Sequence, residues 1–327
     1  MRAHGPVSFW LGNHSEVGQR SLEDVIAIFG HQANALGHKC VWDTSNTKLV
    51  SGADGINVVV EGFTKDSIRV MADSHQQGAR WIILATEEPS ARGFNQGTQR
   101  EMVWRQEKFP EAAKFCEGIL HLVPGEHVTR WYGQHAPAAP IELGYAPTLV
   151  RINQQEPDYE FGFYGSLTPR RHSILKRLAK RVGSEKAVRL VVDFATQAER
   201  DETMRRAKVI IQVRKFESMG LVSSSRCNTA LCLGRPVVAE PHLLSKPWDE
   251  VVRFSDTMEG FYNLCLMTRA AWRGVWATQF DRFKEKFSPE ICVGRALEHI
   301  GVLSPSRIVS STRMLPPIPV QAPAELA

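Results

Sequence analysis

The chain has 327 residues, of which 43% are hydrophobic and 23% are charged, and its formal net charge at pH 7 is +5. This length suits two domains, and the composition is ordinary for a soluble globular protein. The mild positive charge suits a phosphate-bearing ligand or an anionic surface but proves neither. The 6 cysteines are scattered without a CxxC pair, which argues against a zinc site or a disulfide framework and favours buried free thiols.

The start of the sequence does not predict a membrane segment. The apolar run Val7–Leu11 is far too short for a signal-peptide core or a membrane span. We therefore expect a cytoplasmic protein, with peripheral contact at the inner membrane left open as an option. The tail 304–327 is rich in Pro, Ser and Ala, and this composition predicts disorder.

The first half alternates strand-like and helix-like stretches. Its predicted elements are, in chain order, a strand at 7–11, a helix at 21–39, the short strand-like runs "CVWD" and "GINVVVEGF", a helix at 66–79, a strand at 80–88, a polar helix near 95–115, the run "GILHLV" at 118–123, the short helix "GEHVTRWYG" and the segment "IELGYAP" at 141–147. Ser21 is a good N-cap for the first helix, and Gly37 is its stop signal.

The second half repeats this alternation. Its predicted elements are a strand at 159–165, a helix at 169–182, a strand at 187–194, the helix "QAERDETMRRA", a strand at 208–214, a small-residue helix from Arg226 to Leu233, a strand at 237–239, a closing strand at 250–256, and helices at about 258–270, 272–286 and 288–303. Pro169 suits the first turn of its helix. Gly234 predicts a left-handed helix end, and Pro236 a rigid turn into the next strand.

Strands that alternate with helices are typical of parallel α/β sheets. The segment 148–158 carries no strong pattern and is the predicted linker. We therefore predict an α/β protein of two Rossmann-like domains facing a cleft, the first over 1–150 and the second over 151–287. The helix at 288–303 is expected to cross back to the first domain.

In open parallel sheets, ligands bind at the carboxyl ends of the strands. After the strand 159–165, a glycine-bearing turn leads into a helix whose N–H groups favour an anion. There Gly165 allows close approach, Ser166 adds a hydroxyl, and Arg170 or Arg171 could bind phosphate oxygens bidentately. The alternative is a capped helix with a solvated basic face.

Two later strand ends offer further polar groups. Glu217 follows the strand 208–214, where a carboxylate could accept hydrogen bonds from ribose hydroxyls. Arg226 lies near a helix start, which is electrostatically unfavourable for a cation and which a bound anion would explain; a surface salt bridge is the alternative. Glu240 follows the strand 237–239 and is expected to face the cleft.

The first half supplies candidate chemistry as well. His14, in the loop after the first strand, could act as a base near neutral pH, or it is a loop histidine without chemical consequence. Glu16 is the alternative base. Glu87 and Glu88 follow the strand 80–88 and are expected on the acceptor side. The sequence has no GxGxxG, GxxxxGK[ST] or HExxH motif, which argues against a dinucleotide dehydrogenase, a P-loop enzyme and a zinc hydrolase.

Residues 159–300 resemble the nucleotide-sugar-binding domain of GT-B glycosyltransferases of the group 1 type. The similar segments are "FGFYGSLTPRR", the strand ending "VVDF", "RRAKVIIQVRKFES", "SRCNTALCLGRPVVAE" and "RFSDTMEGFYN". The resemblance implies that Gly165 and Arg170 approach the donor diphosphate and that Asp193 and Phe194 lie near the base. Thr229 stands where the family has a glutamate that grips the ribose, a departure that leaves ribose recognition to Glu217, to Glu240 or to neither.

The predicted function is transfer of a sugar from a nucleotide-diphosphate sugar to a glycan, a lipid-linked acceptor or a small molecule. We expect no metal and no cofactor beyond the nucleotide-sugar co-substrate, because a helix N-terminus and an arginine can stabilise the leaving diphosphate. Nucleic acid is not among the expected partners. The alternatives are a nucleotide-sugar epimerase on the same fold and a non-catalytic nucleotide- or glycan-binding protein, which Thr229 favours.

Overall fold

The computed structural model describes residues 4–10, 16–43, 55–61, 63–96, 100–152, 156–184, 187–191, 196–215, 222–241 and 247–302. The chain forms two separate parallel sheets rather than one continuous sheet. This arrangement confirms the predicted α/β class. Within the described ranges, no helix combines the length and the apolar character that crossing a bilayer requires.

The first sheet has the strand order β2-β1-β3-β4-β5-β6. Its strands are β1 (His4–Trp10), β2 (His38–Asp43), β3 (Ile56–Val60), β4 (Trp81–Ala85), β5 (Gly118–His121) and β6 (Ala138–Pro140), and its helices are α1 (Glu16–Ala35), α2 (Lys65–Gln76), α3 (Arg100–Ala113) and α4 (Glu126–Gly133). Along β3, Val58 and Val60 pack in one apolar cluster and Val59 in another. Because successive side chains point to opposite faces, both faces of this sheet are buried.

The second sheet has the order β10-β9-β7-β8. Its strands are β7 (Tyr159–Tyr164), β8 (Val188–Val191), β9 (Ala207–Gln212) and β10 (Val237–Ala239), and the helices of this half are α5 (Pro169–Val182), α6 (Gln197–Arg205), α7 (Ser224–Cys232), α8 (Met258–Ala270), α9 (Trp272–Lys286) and α10 (Arg295–His299). In each sheet the winding direction reverses beside the first strand, between β1 and β3 and between β7 and β9. Ligands of open parallel sheets bind at such reversal points.

Several predicted elements differ from the structure, and three of the differences have a clear physical reason. The first helix begins at Glu16, so Ser21 lies inside it and is not its N-cap. Tertiary packing of the apolar face, which includes Ile26 and Phe29, sets the length of α1 more than local capping does. The end is as predicted, with Gly37 in the left-handed region at φ 93°.

The predicted strand at 250–256 does not close the second sheet. Its residues make one isolated parallel bridge, between Val238 and Arg253. Val251 and Val252 of this stretch are buried in the same apolar cluster as Trp248, whose ring lies 4.2 Å from that of Phe287. The apolar side chains of this stretch are therefore buried although it adds no strand to the sheet.

The predicted helix at 288–303 is shorter and interrupted. A π-helical turn at Glu290–Gly294 precedes α10. Ile300, which follows α10, packs on Gly118 of the first sheet so closely that a Cβ at this glycine would lie 2.7 Å from the Cβ of Ile300. The chain therefore returns to the first sheet after α9. The tail predicted to be disordered lies outside the described residues.

The segment after β6 joins the two halves through hydrogen bonds. The Asn228 side chain donates to the carbonyl of Leu143 at 3.2 Å, and the Tyr145 amide donates to the carbonyl of Phe287 at 2.7 Å. In addition, Arg200 of α6, which is 1% exposed, pairs with Asp24 of α1. These contacts hold helices of both halves against one another.

Candidate functional site

The ends of β7, β9 and β10 bring together residues that are far apart in the sequence. Gly165 follows β7, Arg214 lies just beyond β9, and Glu240 follows β10 directly. Since the strands are parallel neighbours, their carboxyl ends lie on one edge of the sheet, at the reversal point between β7 and β9.

Glu240 is fully buried and is bound by two arginines. Its Oε1 and Oε2 accept hydrogen bonds from Nη1 and Nη2 of Arg170 at 3.0 and 2.8 Å, a bidentate pair. Nε of Arg214 donates to the same Oε1 at 3.1 Å, and the Arg214 amide donates to it as well. A buried carboxylate needs such partners because it is costly to remove from water unpaired. Both oxygens of Glu240 are thus engaged by the protein.

The first turn of α5 carries cations where an anion would be favourable. Thr168 caps the helix by accepting from the Arg171 amide, Pro169 follows, and no acidic residue lies in the first turn. The Arg171 side chain is 3% exposed and donates to the carbonyls of Val213 and Ser166 at 2.9 and 2.8 Å. Burial, together with the neighbouring Arg226, lowers the pKa of Arg171 to about 10. The positive helix end and the guanidinium groups repel one another.

Arg226 completes this group of cations. It lies in the first turn of α7, which also lacks an acidic residue. Its guanidinium carbon is 5.6 Å from the centre of the Tyr164 ring, and a Cβ on Gly165 would lie 2.7 Å from its Nη2. Gly165 has φ 126° and lacks a side chain, so it permits this approach. Burial lowers the pKa of Arg226.

Among the described residues, the Arg226 guanidinium has neither a hydrogen-bond acceptor nor an ion-pair partner. Asp24, whose charge also acts on Arg226, is paired with Arg200. We name the four arginines Arg170, Arg171, Arg214 and Arg226, together with Glu240, the arginine cluster. Within the described part of the chain this cluster holds four positive charges and one negative charge, and only Arg170 and Arg214 bind the carboxylate. The surplus of positive charge favours an anionic ligand.

The other predicted donor-side residues are placed as follows. Ser166 lies in the turn after β7 and accepts a hydrogen bond from Arg171 through its carbonyl. Thr229 is buried within α7 at 5% exposure. Asp193, Phe194 and Glu217 lie outside the described residues.

At the first sheet, a second buried charge cluster lies at the ends of β3 and β4. Glu61 follows β3 and is 1% exposed. Its Oε1 accepts from the amide and the hydroxyl of Thr86 at 2.7 and 2.6 Å. Burial raises the pKa of Glu61 to about 8, and the neighbouring Glu87 adds to this shift, while Arg105 and Thr86 oppose it.

Glu87 and Arg105 complete this cluster, which we name the carboxylate pair: Glu61 and Glu87, with Arg105 of α3 between them. Nη1 of Arg105 lies 3.0 Å from Oε1 of Glu87, and its Nη2 lies 3.8 Å from Oε1 of Glu61. Asn95 donates to the other oxygen of Glu87. The predicted acceptor-side residue Glu88 lies apart, in an exposed pair with His127 at 3.3 Å.

The remaining histidine at a strand end is structural. His121 ends β5, is fully buried, and hydrogen-bonds the carbonyl of Val123 and the hydroxyl of Thr129 at 2.9 and 3.0 Å. Burial lowers its pKa to about 4. His14 lies outside the described residues, and Glu16 is the first residue of α1.

Sequence reasoning missed Glu61, Arg105 and the pairing of Arg170 with Glu240. Glu61 had a signal, since it directly follows the apolar run Ile56–Val60, as Glu240 follows β10. Arg105 had none, because it lies in the middle of a polar helix. In the described ranges, no group of three or more His, Cys, Asp or Glu residues could hold a metal ion.

Comparisons with known proteins support the fold. No protein-family model matches the chain, and no curated protein matches it in sequence. Solved structures do match. AviGT4, a glycosyltransferase involved in avilamycin A biosynthesis, aligns with TM-score 0.50 and 11% identity over 91% of this chain and 97% of its own. The DNA-modifying enzyme β-glucosyltransferase, with uridine diphosphoglucose as substrate, aligns with TM-score 0.51 and 8% identity over 90% of this chain and 99% of its own.

A third similar structure is the N-terminal domain of trehalose-6-phosphate phosphatase from Candida albicans, with TM-score 0.50 and 8% identity over 90% of this chain and 97% of that one. Because these alignments cover nearly the whole chain, both sheets take part. The chain therefore has the GT-B fold of the glycosyltransferases it resembles, as the sequence predicted. Identities this low establish the fold, while function depends on the site.

Proposed function

We propose that the protein is a glycosyltransferase that transfers a sugar from a nucleotide-diphosphate sugar, with the donor diphosphate bound at the arginine cluster. The observation that carries this proposal is the surplus of positive charge where β7 ends, with Arg171 buried and Arg170, Arg214 and Arg226 partly buried. Arginines are permanently protonated in proteins and bind phosphate oxygens through a fork of N–H donors. The cluster cannot neutralise itself, so a diphosphate is the natural counter-charge.

Two helix N-termini support the same assignment. The first turns of α5 and α7 carry arginines in place of acidic residues, and Arg226 reaches Gly165 at the entrance of α5. Their backbone N–H groups and dipoles add to the attraction for an anion. When the bond between sugar and diphosphate breaks, negative charge grows on the leaving group, and these fixed donors stabilise it without reorganisation.

The residues that we assign to the nucleotide-sugar donor differ from those that the resemblance to GT-B glycosyltransferases implies. Arg170 is held by Glu240, so we assign Arg226 as the main phosphate ligand and Arg170 as its neighbour in the cluster. The proposed boundary between the two domains lies at 148–158. The second domain binds the nucleotide-sugar donor, and the first binds the acceptor. The acceptor in this proposal is a glycan, a lipid-linked molecule or a small molecule. The transfer needs no metal ion, because the arginines supply the positive charge that stabilises the leaving diphosphate.

One observation favours a second candidate. Thr229, at the position where the resemblance places a ribose-binding glutamate, is buried inside α7. This supports a non-catalytic protein that binds nucleotides or glycans. The two candidates differ in one measurable property, the release of free nucleoside diphosphate from a nucleotide sugar.

The test begins with ligand binding. The protein is mixed with uridine, guanosine, adenosine, cytidine or thymidine diphosphates and with the corresponding monophosphates, and its Tm is measured. A diphosphate at 100 times its Kd stabilises the native state by roughly 2.7 kcal/mol. We expect one diphosphate to raise Tm more than its monophosphate does. No shift with any diphosphate at millimolar concentration would contradict the proposal.

Matched variants locate the site. Arg226→Gln should weaken diphosphate binding about ten- to a hundredfold, since a hydrogen bond to a charged group contributes roughly 1.5–3 kcal/mol. Arg181→Gln, which removes an arginine from an exposed pair with Glu259, is the control and should bind normally. Nucleoside diphosphate release from the preferred nucleotide sugar, with EDTA or with added Mn²⁺, then separates transferase from binding protein and tests metal independence.

A further inference from the structure

The carboxylate pair contains buried polar atoms that the protein leaves without partners. Oε2 of Glu61 and Nε of Arg105 have no hydrogen-bond partner among the described residues. Both side chains lie inside the protein, with Glu61 1% and Arg105 9% exposed. A buried carboxylate oxygen without a donor is costly when the group is ionised. A proton on Glu61 lowers this cost because it removes the buried charge.

Burial is the main factor that favours a proton on Glu61, and the nearby Glu87 adds to it. Glu87, just beyond β4, repels the ionised form of Glu61, whereas Arg105 of α3 and the hydroxyl of Thr86 stabilise that ionised form. Tyr132 of α4 lies close as well and donates its hydroxyl to the carbonyl of Glu87 at 2.8 Å. Burial, with the charges of Glu61 and Glu87 adding to it, raises the pKa of Tyr132, so this phenol remains neutral. Arg105 is thus the cation that the two carboxyl groups share.

Arg105 is placed unequally between them. Its contact with Glu87 is 3.0 Å, within hydrogen-bond distance, and its nearest approach to Glu61 is 3.8 Å. Glu87 is also the more accessible of the two, with 16% of its side chain exposed against 1% for Glu61. Glu87 can therefore reach a ligand at the edge of the first sheet, and Glu61 cannot.

We propose that Glu87 is the base that receives the acceptor's proton and that Glu61 is a positioning residue that, by holding a proton, leaves Arg105 to orient Glu87. This inference rests on the proposed function and assigns an inverting reaction. The acceptor oxygen forms a bond to the anomeric carbon of the sugar, and its proton passes to a Glu87 oxygen. The bond from the anomeric carbon to the phosphate oxygen breaks, and the nucleoside diphosphate leaves with that electron pair.

The inference predicts an alkaline limit to activity. When Glu61 ionises, near pH 8, its carboxylate competes with Glu87 for Arg105, and the base loses its orientation. Turnover of the wild-type protein should therefore decline above about pH 8. A residue with a merely structural role would change stability without moving this limit.

The experiment uses the full chain and needs no identified acceptor. Hydrolysis of the nucleotide sugar that binds best, with water as acceptor, is followed by nucleoside diphosphate release from pH 6 to pH 9.5. Glu87→Gln should lower turnover by 10²–10⁴-fold, which is typical for a lost general base, and should bind nucleoside diphosphate as the wild type does. Glu117→Gln, in an ion pair with Arg80 at 2.7 Å on the same sheet, is the control and should keep wild-type rates.

Two variants test Glu61. Glu61→Gln, which mimics the protonated carboxyl, should abolish the alkaline decline. Thr86→Val removes a hydroxyl that stabilises ionised Glu61, so the alkaline decline in turnover should move to higher pH. This variant still tests the inference if Glu61→Gln folds poorly. An unshifted decline in both variants would overturn the inference, as would a retained product anomer.

The inference and the proposed function fail in different ways. If no nucleoside diphosphate binds to the wild type, the proposed function falls and the inference falls with it. If diphosphate binds normally but Glu87→Gln hydrolyses donor at the wild-type rate, the inference alone is wrong. Loss of turnover in His14→Ala or Glu16→Ala would then return the base to the loop after β1.

Discussion

The two sheets carry charge clusters of opposite composition at corresponding edges. In the arginine cluster one buried carboxylate, Glu240, is bound by Arg170 and Arg214. In the carboxylate pair one arginine, Arg105, lies between two carboxyl groups. Both clusters follow strand ends, and both are largely removed from solvent.

The two clusters differ in how their excess charge can be neutralised. A carboxyl group can take up a proton within the physiological range, and the raised pKa of Glu61, about 8, places its proton there. A guanidinium does not lose its proton in practice. The carboxylate pair therefore balances its charge from solvent protons, whereas the arginine cluster needs an anion from outside. This asymmetry is the physical basis for the proposed assignment of donor binding to the second sheet and of proton transfer to the first.

The largest expected effect comes from removing the centre of the arginine cluster. Glu240→Ala leaves Arg170 and Arg214, which are partly buried, without their carboxylate, and should lower the free energy of unfolding by about 3 kcal/mol. Urea unfolding measures the loss. Glu259→Ala, which breaks an exposed pair with Arg181, is the control and should change stability little. Equal losses in the two variants would mean that Glu240 is not an electrostatic centre.

Removing the shared arginine from the carboxylate pair should have a smaller, pH-dependent effect. Arg105→Met deprives Glu87 of a charged hydrogen bond and should cost about 1.5–3 kcal/mol at pH 8. At pH 5 the loss should shrink, because Glu61, whose pKa in the folded protein is about 8, is then protonated and no longer needs a cationic partner. The loss in Glu240→Ala should stay constant over this range, since arginines cannot compensate. A pH-independent loss in Arg105→Met would contradict the comparison.

Glu61 should make the wild-type protein less stable as the pH rises. Its pKa is raised from the model-compound value of 4.5 to about 8 in the folded state, so between these values the folded protein holds a proton that the unfolded chain has released. The contribution of Glu61 to the free energy of unfolding is therefore largest below about pH 4.5, and it decreases as the pH rises to about 8. Glu61→Gln should lack this slope. Urea midpoints from pH 5 to pH 8.5 measure it, and parallel curves for both proteins would refute it.

The smallest effect is expected outside both clusters. Glu88 neighbours Glu87 in sequence, but its pair with His127 is exposed. Such pairs contribute roughly 0–1 kcal/mol, so Glu88→Gln should leave urea stability, diphosphate binding and donor hydrolysis near wild-type values. A loss comparable to that of Glu87→Gln would extend the proton-handling site to Glu88.

Local sequence patterns determined much of the fold. The limits of α5 are set by three residues: Thr168 as its N-cap, Pro169 in its first turn and Gly183 at its left-handed C-terminal end. Each of these signals is local, so a short stretch of sequence is enough to specify it. The apolar runs that became β4, β7 and β9 were predicted for the same reason. Sequence reasoning also singled out Gly165, Arg226 and Glu240 because each lies at a strand end or a helix start.

Only the tertiary structure decided which of these groups meet. Arg170 and Glu240 are 70 residues apart, and their pairing depends on β7, β9 and β10 lying side by side, an order that no local pattern encodes. Arg105 meets Glu61 because α3 packs, through Phe109, in the apolar cluster that includes Val59 of β3. Whether a charged side chain binds a ligand, a proton or another side chain is set by burial and by neighbours distant in sequence, and these exist only once the sheets have assembled.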